Sequence, residues 1–178
     1  MIKVLAIDPA FRNVGWCIAD VDPSGGVVLR VTQIGLIETK DHVGKKIRKS
    51  SDDFRRAKEI ATELRYRAEG VDMIFTEIPG GSQSSRAAWC LGISLGILTN
   101  LTPLEIVEIT PSMTKKITGT PGATKDQMIE WAVNLYPSLP WIRMKRKAPE
   151  PGRILGKNEH IADAIGVLHA GAASISDR

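Results

Sequence analysis

The sequence predicts an α/β domain in which one mixed five-stranded sheet carries helices on both faces. Three apolar segments rich in β-branched residues follow one another with short connections, which is typical of an antiparallel meander. Two further apolar segments then alternate with helical patterns, and this alternation favours helices packed on the sheet. A chain of 178 residues fits one domain, 1–178, with a substantial core.

The strands are predicted from short apolar runs, and a Ser-Gly-Gly turn separates the second from the third. The expected strands are residues 2–7, 14–19, 27–37, 71–76 and 104–109. Helical spacing of apolar residues predicts four helices, at 51–68, 84–99, 124–135 and 159–173. Ser51 or Asp52 is expected to cap the first helix, and Gly70 to end it.

Composition places the chain among ordinary globular proteins and argues against a membrane protein. Of its residues, 43% are hydrophobic and 25% are charged. The longest nearly apolar run, 87–98, is too short to span a bilayer. The first residues lead straight into a strand without a secretion signal. Cys17 and Cys90 lack the spacing of metal ligands, so we expect reduced, buried thiols in a cytoplasmic protein.

Positive charge is concentrated in one segment of a chain that has a net charge of +4 and a pI of about 9.2. Residues 143–157 contain six basic residues and one acid, whereas the first 39 residues contain three basic residues. Pro, Gly and basic residues dominate 137–158, which predicts a long, mobile loop. Such a loop is either a solvated surface segment or a grip for DNA phosphates, through Arg143, Lys145, Arg146 and Lys147.

Two acidic residues stand at the ends of predicted strands. Asp8 follows the first strand and Glu77 follows the fourth. Neighbouring strands would bring both carboxylates to the sheet edge where α/β proteins usually bind ligands. Asp163 lies in the last helix, which is rich in small residues, about one turn after Glu159 and His160. We expect its side chain to reach the rim of the core.

These acids have two interpretations. A strand-end Asp is more often a turn former or a helix cap than a ligand, and an Asp in an Ala-rich helix can be a solvated residue. Three converging carboxylates without basic partners would instead repel one another unless a divalent cation such as Mg²⁺ binds between them. Two such ions can activate water and stabilise the leaving oxygen in phosphodiester hydrolysis. Spacing alone leaves both interpretations open.

Several short segments resemble motifs of the RuvC family of Holliday junction resolvases, in the family's order and over nearly the whole chain. Residues 6–16, AIDPAFRNVGW, resemble its opening motif, and residues 74–77, IFTE, resemble its second acidic strand. The stretch 83–98 is similar to its helix of small and apolar residues, and 113–128 to its lysine-containing segment. Residues 159–165, EHIADAI, resemble its closing acidic motif.

The resemblance implies an RNase H-like fold and a homodimer that nicks opposed strands of a four-way DNA junction, using Mg²⁺ or Mn²⁺. It makes Asp8, Glu77 and Asp163 metal ligands. Where bacterial members often have an Asp one turn before the last acid, this chain has His160. Neutral imidazole binds metals, so His160 is placed as the fourth ligand. Glu159 stays open as the alternative.

The resemblance also assigns cations to the site. Lys125 is the best candidate for a cation near the scissile phosphate. Lys115 or Lys116 corresponds to the second family lysine, and an ordinary solvated lysine is an equal alternative for either one. The resemblance further places the dimer contact on the second helix, with Trp89 as a candidate anchor. Packing against the chain's own sheet is the alternative there, and it is favoured for Gly96.

Two features depart from the bacterial members of the family. Residues 78–82 lack the aromatic side chain that those members place against unstacked bases, and the basic loop is longer. Compact, divergent resolvases are typical of phages, so the resemblance favours a phage protein that acts in the cytoplasm of a bacterial host.

Three other functions stay open. Another RNase H-like nuclease would cut flaps, forks or RNA–DNA hybrids, and a substrate panel would distinguish it. An actin-like ATPase is disfavoured because that fold needs two such domains, and ATP binding would reveal it. A junction-binding protein that has lost catalysis is disfavoured because all three acids are present.

Overall fold

The structure is a computed structural model that describes residues 1–42, 47–147 and 149–176. The strands within these residues are β1 (Ile2–Asp8), β2 (Asn13–Asp22), β3 (Val27–Glu38), β4 (Met73–Glu77) and β5 (Glu105–Ile109). The helices are α1 (Lys49–Ala68), α2 (Ser85–Thr99), α3 (Pro111–Lys116), α4 (Lys125–Leu135) and α5 (Glu159–Ser176). One turn of 3-10 helix, Gly156–Asn158, precedes α5. Among the described residues, none of the helices combines the length and the apolar character that a membrane crossing requires.

All five strands form one mixed sheet in the order β3-β2-β1-β4-β5. The first three strands pair antiparallel, and β4 lies parallel to both β1 and β5. The predicted meander and the mixed five-stranded sheet are therefore confirmed. Because side chains alternate along a strand, β1 contributes apolar residues to both faces of the sheet.

Different helices cover the two faces. Helices α1 and α2 pack on the face that carries Leu5 and Ile7 of β1. Helices α4 and α5 pack on the opposite face, which carries Ala6 of β1 and Phe75 of β4. Each face thereby becomes one apolar core, and the prediction of helices on both faces is confirmed.

Small residues allow α5 to lie close to the sheet. A Cβ added at Gly15 of β2 would lie 1.8 Å from the carbonyl oxygen of His160, and one at Gly171 would lie 2.3 Å from the ring of Phe75. No larger residue fits at either position without moving the helix or the sheet. Gly15 pairs with Asp8 across the β1–β2 ladder, so this contact holds the first turn of α5 beside the end of β1.

Two local predictions are wrong. Helix α1 starts after Arg48, which makes no side-chain cap, so neither Ser51 nor Asp52 caps it. Asp52 instead accepts hydrogen bonds from Arg55 within the helix. Both cysteines are free thiols, but only Cys17 is buried, whereas Cys90 is half-buried.

The small-residue positions of α2 face open space. A Cβ added at Gly92 or Gly96 would meet no other atom within 4 Å. The prediction that Gly96 packs against the chain's own sheet is therefore wrong. Trp89, on the same helix, is 55% exposed.

The basic loop is a hairpin with a hydrogen-bonded base. Its two arms meet at an antiparallel bridge between Arg143 and Ile154. The buried Asn158 side chain accepts from the backbone N–H of Ile142 at 2.9 Å and donates to its carbonyl at 2.7 Å. We call residues 142–155 the basic hairpin, of which residue 148 lies outside the described residues. The sequence did not predict this bracing.

Candidate functional site

The sheet brings Asp8 and Glu77 to one edge. Strands β1 and β4 are parallel neighbours in which Ile7 pairs with Thr76, so the next residue of each strand lies at the same carboxyl end. Asp8 and Glu77 are these next residues, and both side chains are half-buried. Asp8 also raises the pKa of Glu77, which places the two carboxylates within electrostatic reach of each other.

Helix α5 adds Asp163 and His160 to this edge. His160 lies in the first turn, and its Nδ1 is 2.8 Å from Oδ2 of Asp8. Asp163 follows three residues later, on the same side of the helix. The close contact at Gly15 makes this approach of helix and strand possible.

The carboxylates lack enough positive charge to balance them. Burial, together with the negative charges of Asp8 and Glu77, raises the pKa of Asp163 to about 7, although the charge of His160 opposes the shift. Burial likewise raises the pKa of Glu77, although a hydrogen bond with Thr114 and the charge of Lys115 oppose the shift. At neutral pH, much of the metal-free protein therefore carries a proton on Asp163.

The same carboxylates favour the charged, protonated form of His160. Burial by itself lowers the pKa of His160, but the hydrogen bond with Asp8 and the neighbouring carboxylates raise it above its ordinary value. Its other ring nitrogen, Nε2, lies 3.5 Å from the side-chain nitrogen of Asn13 and 3.5 Å from a carboxylate oxygen of Glu159. His160 thus takes part of the charge-balancing role in the metal-free site.

The three predicted lysines lie in different surroundings. Lys125, at the start of α4, donates to Oε1 of Glu159 at 2.8 Å, and this hydrogen bond raises the pKa of the lysine. Lys115, in α3, lies near enough to Glu77 to lower its pKa. Lys116 instead lines a groove between α3 and the end of α5, together with residues such as Met113. The structure thus brings Lys125 and Lys115 to the acids, and it leaves Lys116 apart from them.

Glu159 and His160, the two candidates for the fourth ligand, have different main partners. Glu159 pairs with Lys125, whereas His160 contacts Asp8 directly. The choice of His160 as the fourth ligand stays a prediction, and this difference supports it.

The donor set fits a hard divalent cation by its chemistry. Three carboxylates and one imidazole are ligands that Mg²⁺ or Mn²⁺ accepts, and the raised pKa of Asp163 reflects a deficit of positive charge at this point. Among the described residues, no group of three or more His, Cys, Asp or Glu side chains has the spacing of a formed metal site. Asp8 and His160 contact each other through Oδ2 and Nδ1, which leaves Oδ1 of Asp8 and Nε2 of His160 as candidate ligand atoms.

Two further polar residues lie at the site that the sequence did not indicate. Thr114 hydrogen-bonds with Glu77, and Asn13 contacts His160. Thr114 belongs to α3, a helix that was not predicted although Thr110 caps it and Pro111 stands at its first position. A Thr-Pro pair of this kind is a recognised signal of a helix start and could have revealed it.

The basic hairpin carries its cations on the surface. Lys145, Arg146 and Lys147 are exposed, and Arg143 donates to the carbonyl of Gly152 at 3.0 Å across the hairpin. The structure does not bring these four residues into the acidic site.

Comparison with known proteins identifies the fold. No protein-family model matches the sequence, and no curated protein matches it significantly. Among solved structures, RuvC of Thermus thermophilus in complex with a Holliday junction substrate matches with a TM-score of 0.67 and 16% identity, over 99% of this chain and 96% of that chain. This chain has the RNase H-like fold of RuvC.

Two other resolvases share this RuvC fold. The fowlpox virus resolvase, solved with its substrate Holliday junction DNA, matches with a TM-score of 0.56 and 15% identity, over 99% of this chain and 98% of that chain. The yeast mitochondrial Holliday junction resolvase matches with a TM-score of 0.59 and 12% identity, over 97% of this chain and 80% of that chain. At such identities the likeness establishes the RuvC fold, and the activity is argued from the site.

Proposed function

We propose that this chain is a divalent-metal-dependent endonuclease that resolves four-way DNA junctions as a homodimer. One observation carries the proposal: Asp8, Glu77 and Asp163 meet at one sheet edge with too little positive charge to balance them. A buried cluster of this kind is costly unless a ligand neutralises it, and such clusters concentrate at functional sites. The likeness of the fold to resolvases solved with junction DNA supports four-way junctions as the substrate.

The site residues would divide the work between binding the ions and handling charge. Asp8, Glu77 and Asp163 would hold two Mg²⁺ or Mn²⁺ ions, with His160 as the fourth ligand. When bound, such ions supply Lewis-acid activation of water and stabilise charge on the leaving oxygen. With metal bound, Asp163 would be ionised, and His160 would offer a ring nitrogen beside Asp8.

Lys125 would act on the phosphate. Its hydrogen bond with Glu159 raises the pKa of the lysine and holds the ammonium group at the edge of the acidic site. A fixed cation there stabilises the negative charge that develops in the transition state of phosphodiester cleavage. Lys115, near Glu77, is the second cation in a position to contact the same strand.

An exposed apolar face on α2 supports the homodimer. Gly92 and Gly96 leave open space above the helix backbone, and Trp89 is exposed beside them. A second copy of α2 could approach closely across these glycines, with Trp89 buried against it. A two-fold dimer would present two acidic sites to a junction whose own symmetry is close to two-fold.

The basic hairpin would hold the DNA arms. Lys145, Arg146 and Lys147 project from a braced base and make no contact with the acids. Replacing all three with Ser should weaken binding to duplex and junction alike, while cleavage at saturating protein stays near normal. Unchanged affinity would make the hairpin an ordinary solvated surface.

A substrate panel tests the proposed function. Purified protein with Mg²⁺ is given a labelled four-way junction, and the same strands are offered as duplex, flap and fork. We expect paired nicks in opposed strands of the junction and little cutting of the duplex. Asp163→Asn, prepared in the same way, is the control for contaminating nucleases.

The other outcomes of the panel assign other functions. Preferential cutting of flaps, forks or hybrids would make the chain a different RNase H-like nuclease. Tight junction binding without cleavage under Mg²⁺ and Mn²⁺ would make it an inactive binding protein. Light scattering that shows a monomer both free and bound to a junction would remove the homodimer from the proposal.

A further inference from the structure

A cationic pocket opens beside the loop that follows Asp8. Its volume is about 380 Å³, and the loop that follows Asp8 forms one wall. Four of its lining side chains are basic and one is acidic: Arg12, Lys49, Arg56, Arg86 and Asp41. They come from the β1–β2 loop, the segment before α1, and helices α1 and α2.

The floor of the pocket is preformed. Arg56 is only 5% exposed, and it donates to the hydroxyl of Thr39 at 3.0 Å and to the carbonyl of Phe11 at 3.2 Å. Its guanidinium also lies 4.5 Å from the centre of the Phe11 ring. The backbone N–H of Thr39 donates to the carbonyl of Arg12 at 2.9 Å. The loop that carries Arg12 is therefore fixed before any ligand binds.

The positive charge of the pocket is only partly neutralised. Asp41 contacts both Lys49, at 2.5 Å, and Arg56, at 3.1 Å, and Arg86 forms a bidentate pair with Asp53. Lys49 also lies 3.9 Å from Asp52 and 3.8 Å from Asp53, so three carboxylates face the four cations. Arg12 is exposed, and its side chain makes no hydrogen bond or ion pair within the part of the chain that the structure describes. An anion entering the pocket would meet at least one unpaired guanidinium.

We propose that this pocket binds a backbone phosphate of the DNA strand that enters the acidic site. The inference rests on the proposed nuclease function and adds to it a second phosphate contact outside the acids. Arg12 follows Asp8 by four residues, and four fully extended residues span at most about 14 Å. One strand of DNA rises about 3.4 Å per nucleotide, so the bound phosphate would lie within about four nucleotides of the cleaved bond.

The chemistry of the pocket favours a phosphodiester. A guanidinium can donate two parallel hydrogen bonds to phosphate oxygens, and no other group among the described residues accepts a hydrogen bond from the Arg12 side chain. Lys49 and Arg86 would add positive charge from the sides of the pocket. Their contribution would be smaller than that of Arg12, because each already pairs with an aspartate. Two such phosphate contacts, one here and one at the acids, would fix the direction in which the strand crosses the site.

Paired charge-removal variants test the pocket. Arg12→Gln/Lys49→Gln removes two pocket cations and leaves the buried Arg56 in place. Lys58→Gln/Arg65→Gln removes two exposed cations from the same helix, α1, outside the pocket. Binding to a labelled four-way junction is measured without metal over a series of salt concentrations. We expect the pocket variant to bind about tenfold more weakly, with a salt slope reduced by about 0.9 for each phosphate that the protein no longer neutralises. The control should change far less.

Ethylation interference locates the contact. Individual phosphates of the junction are ethylated, and those that weaken binding are mapped for the wild type and for the pocket variant. We expect one phosphate near the cleavage site whose ethylation weakens the wild type but leaves the pocket variant unchanged. A parallel titration with inorganic phosphate, followed by thermal stability, distinguishes a pocket for small phosphate compounds.

The outcomes separate this inference from the proposed function. If the wild type cuts junctions but the pocket and control variants lose the same affinity, the pocket is overturned and the nuclease stands. The inference also fails if inorganic phosphate stabilises the wild type but not the pocket variant, while ethylation interference identifies no DNA phosphate whose contact depends on the pocket. A wild type that neither binds nor cuts branched DNA overturns both.

Discussion

Two groups of carboxylates in this chain differ in the source of their positive charge. At the start of α1, Asp52 and Asp53 are 3% and 1% exposed, yet hydrogen bonds from Arg55 and Arg86 hold their pKa below the ordinary value. At the sheet edge, Asp163 is less buried, yet burial and neighbouring carboxylates raise its pKa to about 7. The chain's own arginines neutralise the first group, whereas the charges near the second group leave it with an excess of negative charge.

The two half-buried imidazoles, His160 and His169, repeat this contrast. His169 packs against Trp131, and its Nε2 lies 2.8 Å from the hydroxyl of Tyr136, with which it shares a hydrogen bond. Burial lowers the pKa of His169 to about 4. His160 is also half-buried, but the carboxylates around it raise its pKa. Burial by itself therefore does not mark a functional site here. An excess of one charge sign at a buried position does.

The largest expected effect comes from amide substitutions at the acidic site. Asp8→Asn, Glu77→Gln and Asp163→Asn should each reduce junction cleavage by about 1000-fold or more, which corresponds to about 4 kcal/mol in the activation barrier. Each substitution removes the negative charge of a proposed metal ligand. The attraction of the protein to DNA phosphate should not weaken, because only negative charge is lost. Single-turnover cleavage and metal-free binding are measured side by side.

The matched control is Asp53→Asn in the neutralised group. This substitution leaves Arg86 without its charged partner, so it should lower the melting temperature while the folded protein still cleaves. Full activity in any of the three site variants would remove that residue from the site. Loss of cleavage at unchanged stability in Asp53→Asn would break the distinction between the two groups.

The next largest effect is expected at Lys125. Lys125→Ala should slow cleavage by about 100-fold and leave junction affinity nearly unchanged, because a cation beside the scissile phosphate acts mainly on the transition state. Lys116→Ala is the matched control, since Lys116 lines a groove away from the acids. Equal losses of rate and affinity in Lys125→Ala would make this lysine a general phosphate contact.

The sequence predicted the fold well because its signals are local. Apolar runs ending at Asp8 and Glu77, and a small-residue helix around Asp163, predicted where the acids would lie, and the pairing of β1 with β4 brings Asp8 and Glu77 to one sheet edge. The contact of Asp8 with His160 depends on how deeply α5 sits, which is set by Gly15 and Gly171 across the sheet. That depth is a property of tertiary packing and could not be derived from spacing.

The cationic pocket was missed for a related reason. Its cations come from three separate segments, and each segment contributes only one or two cations to the lining. A sequence signal did exist, because residues 40–49 contain five basic residues and one acid. Only the folded chain brings Arg12 and Arg86 to the same pocket as Lys49.

A moderate effect on stability is expected at Arg86. Arg86→Met leaves the buried carboxylate of Asp53 without its main partner, which should lower the free energy of unfolding by about 1–2 kcal/mol. The value is at the low end for buried pairs because Arg86 is itself half-exposed to solvent. Arg86→Met/Asp53→Leu, which removes both charges, should recover part of the loss in urea unfolding. No recovery would show that the pair contributes more than mutual neutralisation.

The smallest net effect expected is the pH dependence of the metal-free wild type, because two groups with shifted pKa values act in opposite senses. Between the ordinary pKa of Asp163, 3.8, and its folded value of about 7, the folded protein keeps a proton that the unfolded chain has lost. Stability therefore falls as pH rises through this window. His169 acts in the opposite sense, because its folded pKa of about 4 lies below the ordinary 6.5 and stability falls as pH drops from 6.5 to 4. The two effects partly cancel below pH 6.5.

Comparison of the wild type with Asp163→Asn isolates the contribution of Asp163 from that of His169. The variant cannot ionise at this position, so its melting temperature should exceed that of the metal-free wild type by an amount that grows from about pH 4 to about pH 7 and then stays constant. Each kcal/mol corresponds to about 2–4 °C in a domain of this size. Adding Mg²⁺ at pH 8 should stabilise the wild type and leave the variant nearly unchanged, because binding to the folded state raises stability only where the site is intact. A difference between the two proteins that does not vary with pH would mean that Asp163 ionises near its ordinary pKa. Its charge would then already be balanced, as the charge of Asp53 is.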